Sequence, residues 1–338
     1  MPNGDAHELE GKLFKIRPHG GSSGMVLFLA ALVALALAAF AIFWLNRAPE
    51  PRRIDTSVVV QEAAAPVSGS AKAPLRVAIA AMTSPERTAQ AYTRLMQLVG
   101  EKVGQPVEIS QRKTYAETNA MLEKREVDFA FVCSGAYVEG KARFGMEILA
   151  VPVVRGQRVY YAYILGRKGG FAKNFDDLRG KRFAFTDPNS NTGSLVPRYM
   201  LAQRGETPES FFADSFFTHS HDNSIHAVAE GLADGAAVDS LIWEYFNATG
   251  SPDTIRTAII EKSPPYGIPP VVIHPAVAAG LKERLRAAFF SLHEDPKAIP
   301  LLKELQIDRF EAGDDAMYDS VRQMERWIAL NPARSKPR

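Results

Sequence analysis

A run of hydroxyl and amide residues follows an Asp-Pro pair at 187–188 and has the clearest chemical potential in the chain. An apolar strand pattern precedes this run, and a helix-like pattern starts at Ser194. The first turn of a helix has N–H groups without intrahelical partners, and its dipole favours negative charge. Ser190, Asn191 and Thr192 add side-chain donors there. The segment is typical of an anion site, or of an ordinary junction in which Ser and Asn are caps.

Three more predicted strands end in polar residues that start helix-like segments. These strands lead into Ser134, into the segment around His221, and into Asp239. In open α/β sheets, ligands bind at the carboxyl ends of the strands. The sequence therefore predicts that these residues and the run after the Asp-Pro pair share one ligand-binding edge.

Other chemistry fits these residues less well. His219, His221 and Asp222 are metal-ligand types, but the sequence has no second cluster of His or Cys, so we expect no metal. Cys133 ends an apolar strand without a nearby base, which favours a buried core thiol over a nucleophile. The sequence also has no Ser–His–acid spacing and no phosphate loop with a lysine. We expect a binding protein without a cofactor rather than an enzyme.

Composition narrows the class further. The chain has 338 residues, which is too long for one small domain, and its formal net charge of +2 favours no polyanionic partner. Without a basic strip interleaved with aromatic residues, we expect no nucleic-acid binding. The single cysteine cannot form an internal disulfide.

The N-terminal region contains a long apolar run from Met25 to Leu45, which spans 21 residues. That length crosses a bilayer as a helix, whereas the apolar core of a cleavable signal peptide has roughly 7–15 residues. A small-residue cleavage site at Ala36–Ala38 is the alternative, but the apolar run continues beyond it. We predict a cytoplasmic segment over 1–24, a retained transmembrane anchor over 25–45 and a flexible linker over 46–73. The basic residues on the two sides nearly balance, so charge alone does not decide the orientation.

Alternating strand and helix patterns describe the rest of the chain. Such alternation indicates parallel strands with crossover helices. Two long strand patterns at 148–154 and 159–165 interrupt it, and a second α/β series starts near residue 175. We predict an α/β fold of two lobes joined by a two-strand hinge, with the ligand cleft between them. The predicted boundaries are 74–163 with 264–330 for lobe I, and 164–263 for lobe II.

The chain resembles the periplasmic solute-binding proteins of the phosphonate/phosphite/phosphate family of ABC importers, the PhnD-like group. The residues that carry the resemblance are Asp187–Pro197, Ser220–Val228 and Ala236–Ser240, in this order and spacing, with Leu75–Ile79, Tyr115, Val127–Ala130 and Gly135–Tyr137. The resemblance covers roughly residues 74 to 325, and the segment that starts at Asp187 is its most specific part.

The resemblance implies a type II periplasmic-binding fold whose lobes close on an oxyanion. By position, Ser190, Asn191 and Thr192 bind the phosphorus oxygens, and Tyr115 and Tyr137 line the cleft. His221 donates from the second lobe, Ser134 lies beside Tyr137, and Asp239 either caps a helix or accepts a proton-bearing ligand oxygen. Thr83 and Ser84, in the loop after the first strand, are further candidate donors.

The resemblance also implies that members which bind amine-bearing phosphonates place acidic groups at the far end of the cleft. The corresponding segment here, 266–270, carries no acid. By this resemblance we expect a smaller ligand or one with an uncharged tail, such as phosphite, phosphate or methylphosphonate, rather than an aminoalkylphosphonate.

These features predict a membrane-anchored binding protein that captures a small phosphorus oxyanion for an ABC importer. We expect a monomer whose partner is a transporter permease or a membrane sensor, in the bacterial inner membrane with its binding domain in the periplasm. The alternatives are a sensory or accessory receptor for a sulfonate or carboxylate, and an enzyme on the same fold.

Overall fold

The computed structural model describes residues 73–82 and 85–332. The predicted anchor, nearly all of the predicted linker, and Thr83 and Ser84 lie outside the described residues. Within the described ranges, none of the helices combines the length and the apolar character that a membrane crossing requires.

The first large sheet has six strands. The strands are β1 (Leu75–Ile79), β2 (Val107–Gln111), β3 (Phe129–Phe131), β4 (Glu147–Val153), β12 (Val271–Ile273) and β13 (Arg309–Glu311), in the spatial order β13-β4-β12-β3-β1-β2. At the centre of the parallel part, β1 pairs with both β2 and β3. The other three strands are antiparallel to their neighbours: β12 pairs with β3, β4 with β12, and β13 with β4.

The second large sheet repeats this plan with five strands. The strands are β6 (Ala162–Arg167), β7 (Arg182–Phe185), β8 (Asp214–Phe217), β9 (Gly235–Asp239) and β10 (Thr257–Lys262), in the spatial order β10-β6-β9-β7-β8. β7 pairs in parallel with β8 and β9, while β6 runs antiparallel to β9 and β10 runs antiparallel to β6.

A short two-stranded ribbon lies on the two passages between the sheets. β5 (Val159–Tyr160) pairs antiparallel with β11 (Tyr266–Gly267). The predicted strand over 159–165 is therefore broken at Tyr161. The backbone of Tyr161 there binds Ser240, because its N–H donates to Ser240 Oγ and its carbonyl accepts from the Ser240 N–H. The chain leaves the ribbon and joins the second sheet at this residue.

Helices cover both sheets. The helix that starts at Tyr115 ends at Glu123, where Lys124 is the C-cap and Arg125 adopts a left-handed φ of 57°. The helices are α1 (Pro85–Val103), α2 (Tyr115–Glu123), α3 (Ser134–Phe144), α4 (Val196–Gln203), α5 (Pro208–Phe211), α6 (His221–Ala229), α7 (Ser240–Ala248), α8 (Pro252–Ile255), α9 (Ala279–Phe290), α10 (Ile299–Glu304) and α11 (Asp319–Leu330). The predicted α/β architecture is confirmed.

A cluster of phenylalanine rings fills one face of the second sheet. Phe183 is fully buried, and its ring stacks on Phe212 with 4.4 Å between centroids. Phe175 and Phe185 meet the ring of Phe183 edge to face. Aromatic pairs of this kind contribute about 0.5–1.5 kcal/mol beyond the area that they bury. The cluster supports β7, which leads directly into the polar run after residue 187.

Replacing Phe183 with alanine tests this support. We expect Phe183→Ala to lower the free energy of unfolding by about 3–5 kcal/mol, because the removed ring leaves a cavity. Phe171→Ala is the matched control, since that ring is 53% exposed and its contact is a cation–π contact with Lys181; we expect a loss below about 1 kcal/mol. Urea denaturation of both variants measures the difference, and equal losses would contradict the assignment of the core.

Candidate functional site

The polar run after β7 forms a wide helical turn. Ser190 is its N-cap, and Ser190 Oγ accepts a hydrogen bond from the Gly193 N–H at 3.0 Å. Residues 191–195 form a π-helical turn, in which the Leu195 N–H donates to the Ser190 carbonyl at 2.9 Å. The helix thus starts at Asn191, three residues before the predicted start. Such turns often occur at functional sites.

Gly193 lets this turn pack directly on the end of β7. A Cβ atom at Gly193 would lie 2.4 Å from Thr186 Cβ and 2.5 Å from Thr186 Oγ1. The Thr186 N–H donates to the Gly193 carbonyl at 3.0 Å, so the two backbones are also hydrogen-bonded. No larger residue fits here without displacing the strand end.

The turn contacts groups that belong to the first sheet and to the ribbon. The Asn191 N–H donates to Cys133 Sγ at 3.4 Å, and Asn191 Nδ2 donates to the Tyr160 hydroxyl at 3.1 Å. Asp187 Oδ2 accepts from the Tyr115 N–H at 3.1 Å. The structure therefore brings strand ends of both sheets to one buried polar cluster.

His221 is the neutral donor of this cluster. It is fully buried, and burial lowers its pKa to about 3, so the imidazole is uncharged at neutral pH. Its Nδ1 accepts a hydrogen bond from the Asp239 N–H at 3.1 Å. A neutral imidazole that accepts at Nδ1 carries its proton on Nε2. Nε2 lies 3.5 Å from the Tyr115 hydroxyl, so its N–H is directed into the cluster.

Asp239 ends β9 and caps α7. Its Oδ1 accepts from the Leu241 N–H at 2.7 Å, which confirms the predicted capping role. Burial raises the pKa of this carboxyl to about 7. A carboxyl group with such a pKa is partly protonated at neutral pH and then donates a hydrogen bond.

Several side-chain atoms of the turn have no hydrogen-bond partner within the described chain. They are Asn191 Oδ1, Thr192 Oγ1 and Ser194 Oγ, and all three residues are fully buried. Buried polar groups are normally hydrogen-bonded, because an unpaired one costs about 1–3 kcal/mol. Three such atoms within four consecutive residues make this turn the candidate binding site for a small polar molecule.

Most of the predicted site residues that the structure describes lie in this cluster. The hydroxyl of Ser134, however, donates to the Gly267 carbonyl at 2.7 Å. The hydroxyl of Tyr137 donates to Asp315 at 2.6 Å, and its ring packs on Tyr318. Ligand contacts of these two side chains remain predictions. The residues brought together are Ser190, Asn191, Thr192, Tyr115, His221 and Asp239.

Two residues of the cluster were not predicted as site residues. Tyr160 accepts from Asn191 but lies on the ribbon, 31 residues before it, and no local pattern marks it. Cys133 is buried, as predicted for a core thiol, yet its Sγ also lies 4.0 Å from Ser190 Oγ. The signal at this strand end was the polar residue Ser134, which directly follows Cys133. Ser134 was therefore predicted as the site residue, and Cys133 was not.

One group in the described ranges has the geometry of a metal site. The ligand atoms of His226, Glu230 and Asp253 lie within 4.8 Å of one another. Arg256 binds both carboxylates, at 2.5 Å and 2.8 Å, so its guanidinium already provides the positive charge. His226 is exposed on the surface of α6.

A cavity of about 320 Å³ borders the cluster between the two sheets. Asp239 lines it, together with Met82 and Phe131 on the side of the first sheet and Tyr163 and Leu241 on the side of the second. Pockets of this size at an interface between folded units are typical ligand sites.

Comparison with solved structures shows that the chain has the α/β fold of periplasmic binding proteins. The binding component of a phosphonate ABC transporter from Pseudomonas aeruginosa has a TM-score of 0.73 and 24% identity, over 78% of this chain and 89% of its own. The PhnD1 protein of Prochlorococcus marinus, in complex with methylphosphonate, has a TM-score of 0.69 and 17% identity, over 75% and 98%.

The chain belongs to the family described as "ABC transporter, phosphonate, periplasmic substrate-binding protein", whose sequence model matches residues 77–318. The phosphonates-binding periplasmic protein of Escherichia coli is 24% identical over 256 residues, which is 74% of this chain and 75% of that protein. The predicted family is thus confirmed. Its members are periplasmic substrate-binding components of importers and not enzymes.

The opposite pKa shifts of Asp239 and His221 predict opposite effects of pH on stability. Burial raises the Asp239 pKa from 3.8 to about 7, so in this pH range the folded protein holds a proton that the unfolded chain has released. The contribution of Asp239 to the free energy of unfolding therefore falls as the pH rises through this range. The His221 pKa is lowered from 6.5 to about 3, so its contribution falls as pH drops through that window. The two contributions oppose each other where the windows overlap.

Asp239→Asn removes one contribution and retains an oxygen for the cap. We expect its free energy of unfolding, relative to the unmodified protein, to rise with pH by up to about 1.4 kcal/mol per pH unit between pH 4 and 7. His221→Asn is the control and should show the opposite sign below about pH 6.5. Urea denaturation across this range measures both, and a pH-independent difference for Asp239→Asn would refute the shift.

Proposed function

We propose that this protein captures a small phosphorus oxyanion in the buried cluster and delivers it to an ABC importer. The observation that carries the proposal is the set of buried, unpartnered polar atoms at the first turn of the helix after Asp187. Thr192 and Ser194 lie in the first turn of this helix, where the helix N-terminus favours negative charge. The Nε2–H of His221 adds a donor from the next strand end.

The cluster favours an anion through dipoles rather than through cations. Its described hydrogen bonds come from N–H groups, hydroxyls and a neutral imidazole, and it contains the carboxylates of Asp187 and Asp239. Asp187 Oδ1 and Oδ2 are each bound by a backbone N–H. Asp239, with its pKa near 7, would repel a fully deprotonated ligand unless one of the two holds a proton. We therefore expect one proton to be shared between Asp239 and the bound oxyanion.

The fold supplies a mechanism for capture. We propose that the segments 74–163 and 264–330 form one lobe, that 164–263 forms the other, and that β5 and β11 are the hinge. Closure would exclude water from the cluster and strengthen each hydrogen bond. The phosphonates-binding protein of Escherichia coli and the methylphosphonate complex of PhnD1 support this ligand class.

Thr192→Val tests the site. We expect methylphosphonate or phosphate to bind the purified full-length protein, and Thr192→Val to weaken that binding about tenfold to a hundredfold, because it removes one bond to a charged group. The variant should be as stable as the unmodified protein without ligand, because Thr192 Oγ1 has no partner in the chain. Isothermal titration calorimetry and urea denaturation measure the two quantities.

Thr249→Val is the matched control, since Thr249 is exposed and its hydroxyl donates to the Tyr245 carbonyl. Binding should be unchanged in this variant. If phosphate, phosphite and methylphosphonate do not bind while a sulfonate or a carboxylate does, the phosphorus-oxyanion proposal fails. If Thr192→Val binds as tightly as the unmodified protein, the assignment of the site fails.

We further propose that residues 25–45 are a retained anchor in the inner membrane, with the binding domain in the periplasm. Tethering keeps a receptor at a high local concentration beside its membrane partner. The evidence is the 21-residue apolar run, which exceeds the core of a signal peptide.

Charges in the apolar run test the anchor. After expression in a Gram-negative bacterium, we expect the full chain to stay in membranes during an alkaline carbonate wash. Leu35→Arg with Leu37→Arg should release it, because each central Arg costs about 2.5–3.5 kcal/mol on insertion. The matched control, Val58→Arg with Val59→Arg, should remain bound. A soluble periplasmic chain that starts after Ala38 would show a cleaved signal instead.

A further inference from the structure

The cavity beside Asp239 indicates the kind of ligand. We propose that it holds an uncharged, apolar organic substituent on the bound phosphorus oxyanion, larger than a methyl group. This inference rests on the proposed function. It assigns the substrate class as organophosphonates or phosphate monoesters with an apolar or aromatic group, rather than inorganic phosphate or phosphite.

The lining of the cavity is mostly apolar and comes from both sheets. Apolar lining favours an apolar group, because binding then removes apolar surface of both partners from water. The side chains that define this character include Ile79, Phe131, Leu241, Ile268, Pro269 and Pro270.

Asp239 connects the cavity to the oxyanion cluster. Asp239 is a lining residue of the cavity, and its backbone N–H donates to His221 in the cluster. Tyr92 lines the cavity too, and burial followed by the nearby charge of Asp239 raises its pKa to about 12. A phosphorus atom held by the helical turn and by His221 would thus direct its substituent past Asp239.

Apart from Asp239, the charged groups that line the cavity already have partners within the chain. Glu244 accepts from Arg155 at 3.1 Å and from the Tyr163 hydroxyl at 2.9 Å. Lys262 Nζ lies 3.6 Å from the centroid of the Tyr161 ring. An ammonium group on the ligand would therefore meet no unpaired carboxylate except Asp239, whose burial favours its neutral form.

The volume of the cavity sets the size of the substituent. An apolar cavity of roughly 150 Å³ holds benzene, and a water molecule takes roughly 30 Å³. The cavity measures about 320 Å³, so a methyl group would fill only a small part of it. A phenyl or butyl group fits with room to spare.

Calorimetry with the full-length protein tests the size of the substituent, using methylphosphonate, butylphosphonate and phenylphosphonate as probes. We expect the Kd of phenylphosphonate to be at least about tenfold lower than that of methylphosphonate. Leu241→Asn, at the cavity wall, should reduce this ratio at least threefold. Ile242→Asn, at the same wall, replaces it if Leu241→Asn does not fold. Leu232→Asn is the matched control, because Leu232 is exposed, and it should leave the ratio unchanged.

A pair of probes of nearly equal size tests the charge. We expect propylphosphonate to bind more tightly than 2-aminoethylphosphonate. Tighter binding of the amine, or of methylphosphonate over phenylphosphonate, would overturn this inference while the proposed function stands. A preference that the wall variants leave unchanged would overturn the placement of the substituent. If none of the probes and no phosphate binds, the proposed function itself fails.

Discussion

The hydrogen bond from the Asp239 backbone to His221 Nδ1 determines the chemistry of the whole cluster. It fixes the tautomer, so the imidazole presents a donor and no charge to the interior. The bond exists because β9 ends beside the start of α6, which places a backbone N–H against a buried ring. If this bond were lost, Nδ1 could carry the proton, and the group that faces Tyr115 would become an acceptor.

Burial is the second constraint, and it acts on both signs of charge. Removal of water disfavours the cationic form of His221 and the anionic form of Asp239 alike. Both side chains are therefore shifted toward their neutral forms by the same physical cause. A site of this kind selects an anion by the direction of its dipoles, so its selectivity depends on geometry more than on net charge.

Local sequence patterns were sufficient for the parts of the site that lie at strand ends. Ser190, Asn191 and Thr192 follow a predicted strand, and the same logic found His221 and Asp239, because parallel strands present their carboxyl ends together. Contacts between remote segments were beyond this reasoning. Tyr160 meets Asn191 only because the ribbon crosses between the sheets, and the Tyr137 hydroxyl binds Asp315, 178 residues later. The break at Tyr161 likewise depends on Ser240.

The place of Tyr160 on the ribbon has a mechanical consequence. If β5 and β11 form the proposed hinge, atoms move in proportion to their distance from that axis, so the contact between Tyr160 and Asn191 would change little. Tyr115 and His221 start helices that follow strands of different sheets, and both lie off the ribbon, so their contact would change more. The cluster would then open on the side of Tyr115, away from Tyr160, and solutes would enter and leave past Tyr115.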